Sequence, residues 1–197
     1  MKIFLVLAFV FVTGCVASKA PEQIKIRNLQ KGRTTEDTSF VYTLPYVAGT
    51  SHLVVQGYYS SFSHKNRIAL DFKMKKGTKI SAARGGIVVR TKEENNLGGL
   101  NRKYRQYANY IVIEHADGTR AGYWHLQQNG VLVNVGDTVK QGQVIGLSGK
   151  TGYSAFPHLH FLVWGTHNGR WQNLPTRFMT PNGPKYLRPL RRYRHRK

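Results

Sequence analysis

Pro157-His158-Leu159-His160-Phe161-Leu162-Val163 reads as a β-strand with two unlike faces. On an extended strand, residues two apart point to the same side. His158 and His160 therefore leave one face, and Leu159 leaves the other, where a core belongs. Pro157 stiffens the start of the strand, and Phe161-Leu162-Val163 continues it. Two neutral imidazoles side by side suit either a transition metal or one ligand next to one acid–base group. Three upstream pieces match in chemistry: His64, Asp71, and His125 within Tyr123-Trp124-His125-Leu126.

The surrounding chain is rich in short strands punctuated by glycine and proline. Phe40 to Leu44, His52 to Gln56, Ile80 to Ala83, Gly86 to Thr91, Tyr110 to His115, Arg120 to His125, Val131 to Val133, Val139, Val144 to Ser148 and His158 to Trp164 are the expected strands. Asp117-Gly118 is a strong hairpin signal. No amphipathic helix of three turns is expected. The polar stretch from Lys92 to Tyr107 reads as a long insertion loop at the mouth of a site. An internal repeat links Lys76-Gly77-Thr78-Lys79-Ile80 and Gly85-Gly86-Ile87-Val88 to Val135-Gly136-Asp137-Thr138-Val139 and Gly142-Gln143-Val144-Ile145-Gly146. Two such units predict a mostly β fold, an antiparallel β sandwich or flattened barrel built from paired elements. Biotinyl and lipoyl carrier domains share such turns, but their modified lysine motif has no equivalent here.

The amino end begins Met1-Lys2, continues through an apolar run from Ile3 to Val12, and reaches Thr13-Gly14-Cys15. That is the pattern of an export signal, and the run is too short to span a bilayer comfortably. Val12-Thr13-Gly14-Cys15 resembles the bacterial lipobox, which implies cleavage before Cys15 and acylation of it. Cys15 is the chain's one cysteine, so an intrachain disulfide is impossible. Val16, rather than an aspartate, follows it, which in a cell with two membranes resembles an outer-membrane address facing the periplasm. The expected organisation is a signal at 1–14, a tether and irregular lead-in at 15–38, a β domain at 39–180 and a basic tail at 181–197.

The net charge is +21, from 30 Lys and Arg against 9 Asp and Glu. Such a field favours polyanions. For an exported protein the expected counterparts are anionic wall polymers, lipopolysaccharide and acidic peptidoglycan, not nucleic acid. Seven of the basic residues lie between Lys185 and Lys197. That tail reads either as a solvated, mobile terminus or as a binding element.

A catalytic zinc site takes three protein ligands and keeps an open position, with a base or donor beside the metal. The chain offers a carboxylate at Asp71 and imidazoles at His64, His125, His158 and His160. An acid inside the apolar run Ile68-Ala69-Leu70-Asp71-Phe72 needs a partner. Taken singly, His64 is also a loop histidine, Asp71 could pair with Arg67 or Lys73, and His125 could be a core histidine. His52, His115, His167 and His195 lack supporting context. The absence of His-Glu-x-x-His excludes the common helical zinc-protease plan.

As an ordered set, His64 and Asp71, Tyr123-x-His125-Leu126, and Pro157-His158-Leu159-His160-Phe161 resemble the lysostaphin-type zinc metallopeptidases that cut peptidoglycan cross-links. Ala69-Leu70-Asp71-Phe72, Gly85-Gly86-Ile87-Val88, Val135-Gly136-Asp137 and Thr151-Gly152-Tyr153-Ser154 add to the likeness, which runs from about Leu44 to Trp164. The resemblance implies the duplicated hybrid motif fold, a compact β sandwich with a groove across a sheet and zinc in the groove's floor. It implies zinc ligands at His64, Asp71 and His160, with His125 and His158 as catalytic imidazoles. It implies an endopeptidase acting on stem-peptide cross-links in cell-wall remodelling. The alternative is a peptidoglycan-binding regulator of other wall hydrolases on the same scaffold. A phosphotransfer domain with paired histidines conflicts with the export signal. Tyr123 or Tyr153 is a candidate oxyanion donor. Two departures stand out: six residues separate His64 from Asp71 where three are usual, and bulky Phe156 precedes Pro157-His158.

Overall fold

The computed structural model describes residues 21–34, 40–167 and 169–196. Cys15, the expected export signal and part of the expected lead-in lie outside the described residues. The fold is mostly β, organised by one nine-stranded antiparallel sheet. Across it run Thr138–Val139, Gly86–Lys92, Tyr110–Glu114, Arg120–Trp124, His158–His167, Leu70–Lys73, Ser51–Gln56 and Arg191–Arg194. Arg170–Leu174 returns along the far half of His158–His167 as a hairpin. The path ends open on both sides, so the flattened barrel is not formed.

The inner face of this sheet is apolar because the strand alternation puts Leu159 opposite Phe72, and Phe161 between Leu70 and Tyr123. All five side chains are buried. Three smaller sheets accompany it. Lys79–Ser81, Val144–Ser148 and Leu126–Val131 form one; Val41–Tyr42, Arg177–Thr180 and Gly183–Tyr186 form another. Phe178 of the latter stacks edge-on against Phe161 and Phe72, with ring centroids 5.6 and 6.3 Å away. Gly98–Gly99 pairs with Gly152–Tyr153 in the third.

The internal repeat has a structural meaning. Lys79–Ser81 of the first unit pairs with Val144–Ser148 of the second, and Thr138–Val139 of the second pairs with Gly86–Lys92 of the first. Each unit thus completes the other's sheet. The turns before them depend on glycine: Gly77 and Gly136 have φ of 80° and 96°, which side chains resist.

Several expectations are corrected. The lead-in is not irregular throughout, since Pro21–Gln30 is an α-helix that buries Ile26 and Leu29. It ends in a Schellman cap: Gly32 has φ 67°, and the N–H groups of Gly32 and Arg33 donate to the carbonyls of Leu29 and Asn28. With only two buried residues, its periodicity is too weak to read from sequence. The basic tail is not a loose terminus. Leu187 is fully buried, and Arg191–Arg194 pairs with Ser51–Gln56, so the β domain runs past its expected end at 180. An edge strand built of arginine hides its apolar pattern behind charge. The segment after Lys92 is not structureless either, for it carries Gly98–Gly99 and a 3-10 helix at Arg102–Tyr107. The strand expected at Val131 to Val133 lies earlier, at Leu126–Val131.

Candidate metal centre

The outer face of the sheet gathers the chemistry. Gln56, Asp71, His160, Trp124 and Tyr110 lie directly opposite one another on five successive strands. Asp71 and His160 face each other because their neighbours Phe72 and Leu159 are committed to the core. His64 arrives from the connection before Leu70–Lys73. The longer spacing to Asp71 is absorbed by a turn in which the Arg67 N–H donates to the His64 carbonyl at 3.0 Å. Lys65, Asn66 and Arg67 loop into solvent, and Ile68 resumes burial.

His64 Nε2 lies 3.2 Å from His160 Nδ1 and 3.3 Å from Asp71 Oδ1, and His160 Nδ1 lies 2.7 Å from the same oxygen. A tetrahedral ion with bonds of about 2.0–2.1 Å sets its donor atoms about 3.3 Å apart, so this triangle fits with slight opening at its short edge. Tautomers agree with this. His64 Nδ1 meets the Gly57 carbonyl at 3.2 Å. A carbonyl only accepts, so Nδ1 carries the proton and Nε2 is a bare lone pair aimed at a carboxylate. A lone pair converging with a carboxylate oxygen is the donor geometry of a cation site. Two nitrogens and one oxygen form a donor set suited to zinc.

Asp71 is held from behind: Gln56 Nε2 donates to its Oδ2 at 2.7 Å, while Gln56 Oε1 accepts from the Ser63 N–H at 3.2 Å. Gln56 thereby ties the carboxylate to the loop that carries His64. Burial raises the Asp71 carboxyl, but the hydrogen bond and charge from His160, with His64 and His158 beyond, hold it well below the usual carboxylate range.

His125 and His158 flank the triangle, with their rings 4.7 Å apart. His125 Nδ1 donates to the Thr151 carbonyl at 2.7 Å, and His158 Nδ1 to the Phe156 carbonyl at 2.8 Å. Both therefore keep Nε2 bare, and His158 Nε2 stands 3.8 Å from Asp71 Oδ1. Strict alternation would turn His125 away from Trp124's face. Its φ of 68° swings it back onto that face just past the strand end. Burial first, then the nearby His158 and His160, push the His125 imidazole down to about 3, and burial lowers His160 too. A neutral, unprotonated His125 results across the ordinary pH range.

The structure thus brings together all five residues singled out from sequence. Tyr123 does not join them: it is fully buried, and its hydroxyl accepts the Ala83 N–H at 2.8 Å. It is a core residue and not an oxyanion donor. Tyr153 is partly exposed, with the Arg105 guanidinium 5.5 Å over its ring. Phe156 is exposed, its ring 5.3 Å from that of His158. Gln56 supports the site without having been singled out, and Thr151 and Ser154 do so from a stretch quoted only for its likeness, with no role given to either. Their roles are side-chain or backbone contacts to Asp71, His125 and His158.

Comparisons with known proteins agree with this geometry. Glycyl-glycine endopeptidase ALE-1 of Staphylococcus capitis is 40% identical over 96 residues, covering 49% of this chain and 24% of the relative. Peptidoglycan DD-endopeptidase ShyA of Vibrio cholerae is 38% identical over 91 residues, 46% of this chain and 18% of the relative. A crystal structure of a zinc-containing peptidase from Vibrio cholerae superposes with a TM-score of 0.50 at 26% identity, covering 68% of this chain and 39% of that one. The chain spans a quarter or less of the length of these two curated relatives. A model of peptidase family M23 matches residues 64–174, more than half of the 197 residues, beginning at His64 and taking in Asp71, His125, His158 and His160. By that match, and by the convergence of those five side chains, the chain belongs to peptidase family M23.

Proposed function

We propose that this protein is a zinc metalloendopeptidase that hydrolyses stem-peptide cross-links of bacterial peptidoglycan. The triangle of His64 Nε2, Asp71 Oδ1 and His160 Nδ1 carries the reading. Zinc bound there would supply a Lewis acid that polarises the scissile carbonyl and lowers the pKa of water. The chain's own groups do the rest. Gln56 fixes the carboxylate, and the Gly57 carbonyl fixes the His64 ring. The bare Nε2 atoms of His125 and His158 accept the proton of the attacking water and return one to the leaving amine nitrogen. Backbone carbonyls at Nδ1 keep both rings in the needed tautomer. Two relatives, one a glycyl-glycine endopeptidase and one a peptidoglycan DD-endopeptidase, support peptidoglycan as the substrate.

His160→Ala should release the metal and abolish wall digestion in a zymogram. His158→Ala should keep its metal while turnover falls by about 100-fold or more. Stoichiometric zinc in the first variant, or undiminished digestion by either, contradicts the assignment.

The export signal and lipobox support a second part of the proposal: acylation at Cys15 anchors the protein in the cell envelope, at the outer membrane facing the periplasm. Each buried methylene contributes about 0.8 kcal/mol to such an anchor. Cys15→Ser should stop incorporation of a labelled fatty acid and move the protein to the soluble fraction. Continued labelling of that variant defeats the anchor. The basic surface supports anionic wall polymers or lipopolysaccharide as additional counterparts.

A further inference from the structure

The outer face of the sheet carries a group of aromatic rings that the peptidase chemistry leaves unused. Along His158–His167 the alternation that aims His158 and His160 outward also aims Leu162, Trp164 and Thr166. Trp124 stands opposite His160, ring to ring at 6.2 Å. Trp164 follows at 5.7 Å from Trp124, and Tyr110 flanks Trp124 from the next strand at 5.8 Å. All three rings are partly exposed. Gly122 makes the arrangement feasible: a Cβ there would stand 1.7 Å from Cζ3 of Trp124, so the indole occupies the space directly over the backbone.

Polar groups interleave with these rings. Arg90 donates to the Tyr110 hydroxyl at 3.3 Å, Arg120 pairs with Glu114 at 2.7 Å, and Asn173 lies opposite Trp164. Beyond them Trp171 is 55% exposed, with the Arg120 guanidinium 5.5 Å over its ring. An apolar protein partner would have to desolvate those charges. A sugar chain presents the matching chemistry: C–H faces that stack on aromatic rings, and hydroxyl and acetamido groups that hydrogen-bond at the rim.

We propose that Tyr110, Trp124 and Trp164 form a platform for the glycan strand of the substrate, an inference that rests on the peptidoglycan reading above. Sugar rings stack there while the attached stem peptide lies toward His125 and His158. The scale agrees. Trp164 is four residues beyond His160, roughly 13 Å along the strand. A stem of about four residues, extended, spans about 13–14 Å. A sugar held at Trp164 therefore places the cross-linked end of its stem at the metal.

The test compares two substrates of the full-length protein: polymeric peptidoglycan, and the same cross-linked peptides freed of glycan by an amidase. Trp164→Ala should lower kcat/KM on the polymer by about ten-fold and leave the free peptides within about two-fold. Equal loss on both, or no loss on either, overturns the platform. Trp164→Phe, which keeps a stacking ring, should recover most of the polymer activity. Should Trp164→Ala melt early, Tyr110→Ala, at another partly exposed ring of the platform, carries the same comparison, with the same outcomes deciding. Binding of peptide-stripped glycan chains separates the two ideas. A wild-type protein that binds them but cleaves neither substrate sinks the peptidase reading and keeps the platform. Cleavage without glycan binding sinks the platform and keeps the peptidase.

Discussion

Gln56 Nε2 reaches Asp71 Oδ2 at 2.7 Å while Asp71 Oδ1 faces both histidine ligand atoms. One carboxylate oxygen is thus committed to orientation and the other is left for a metal. Partners of this kind set ring and carboxylate orientation, and losing one typically weakens metal affinity by about 10–100-fold. Gln56→Leu should do the same here, read by zinc competition against a chromophoric chelator, with the thermal melt of the metal-free protein little changed. Unaltered zinc affinity in that variant would mean that the carboxylate orients itself. The reach of sequence at this scale is uneven. His158 and His160 were legible because a strand has a period of two. Asp71 was legible as an acid in an apolar run. His125 was a candidate by residue type, and the family likeness gave it its role, since its position depends on a left-handed φ that breaks the alternation. Gln56 was not legible, because a polar residue ending a strand looks like any other.

At the scale of elements, strands and turns with local signals were readable. Asp117-Gly118 does close the hairpin between Tyr110–Glu114 and Arg120–Trp124, with Gly118 at φ 75°. The repeat announced paired units, though not their exchange of partners, which is a long-range fact. The helix Pro21–Gln30 and the strand Arg191–Arg194 escaped because burial by distant elements, not local periodicity, defines them. Gln30 Nε2 donates to the Leu187 carbonyl at 2.8 Å, which ties the end of the helix to the segment leading into the last strand. The last strand has an energetic role. Tyr193 lies opposite His52, packs against the core, and its hydroxyl accepts the Arg188 N–H at 2.7 Å; its carbonyl accepts from the Tyr46 hydroxyl. It covers the Ser51–Gln56 strand, which ends at Gln56. Tyr193→Ala should cost about 2 kcal/mol, less than a fully buried aromatic because the ring is only half-buried. Urea melts measure it. A loss under about 0.5 kcal/mol would return the tail to the status of an ornament on the fold.

For the whole molecule, 30 cationic residues against 9 acids favour an anionic counterpart. The folded tail gives that charge a location. Among the described residues, Lys31, Lys185, Arg188, Arg191, Arg192 and Arg194 line a cleft of about 880 Å³ to which no described Asp or Glu contributes. Like charges held this closely repel, so the site gains most from a ligand that brings many negative charges at once. The aromatic platform and the metal centre act at short range and are little screened. Attraction to an anionic polymer acts over the Debye length, which contracts from about 10 Å at 0.1 M salt to about 3 Å at 1 M. The two contributions therefore separate by ionic strength. Retention on an immobilised anionic wall polymer should fall steeply over that range, while cleavage of small, uncharged cross-linked peptides changes by less than about two-fold. Neutralising the tail through Arg188→Gln, Arg191→Gln and Arg194→Gln should lower retention at low salt and flatten its salt dependence. Retention that ignores salt, or that survives the triple substitution intact, would place the polyanion contact elsewhere on the surface.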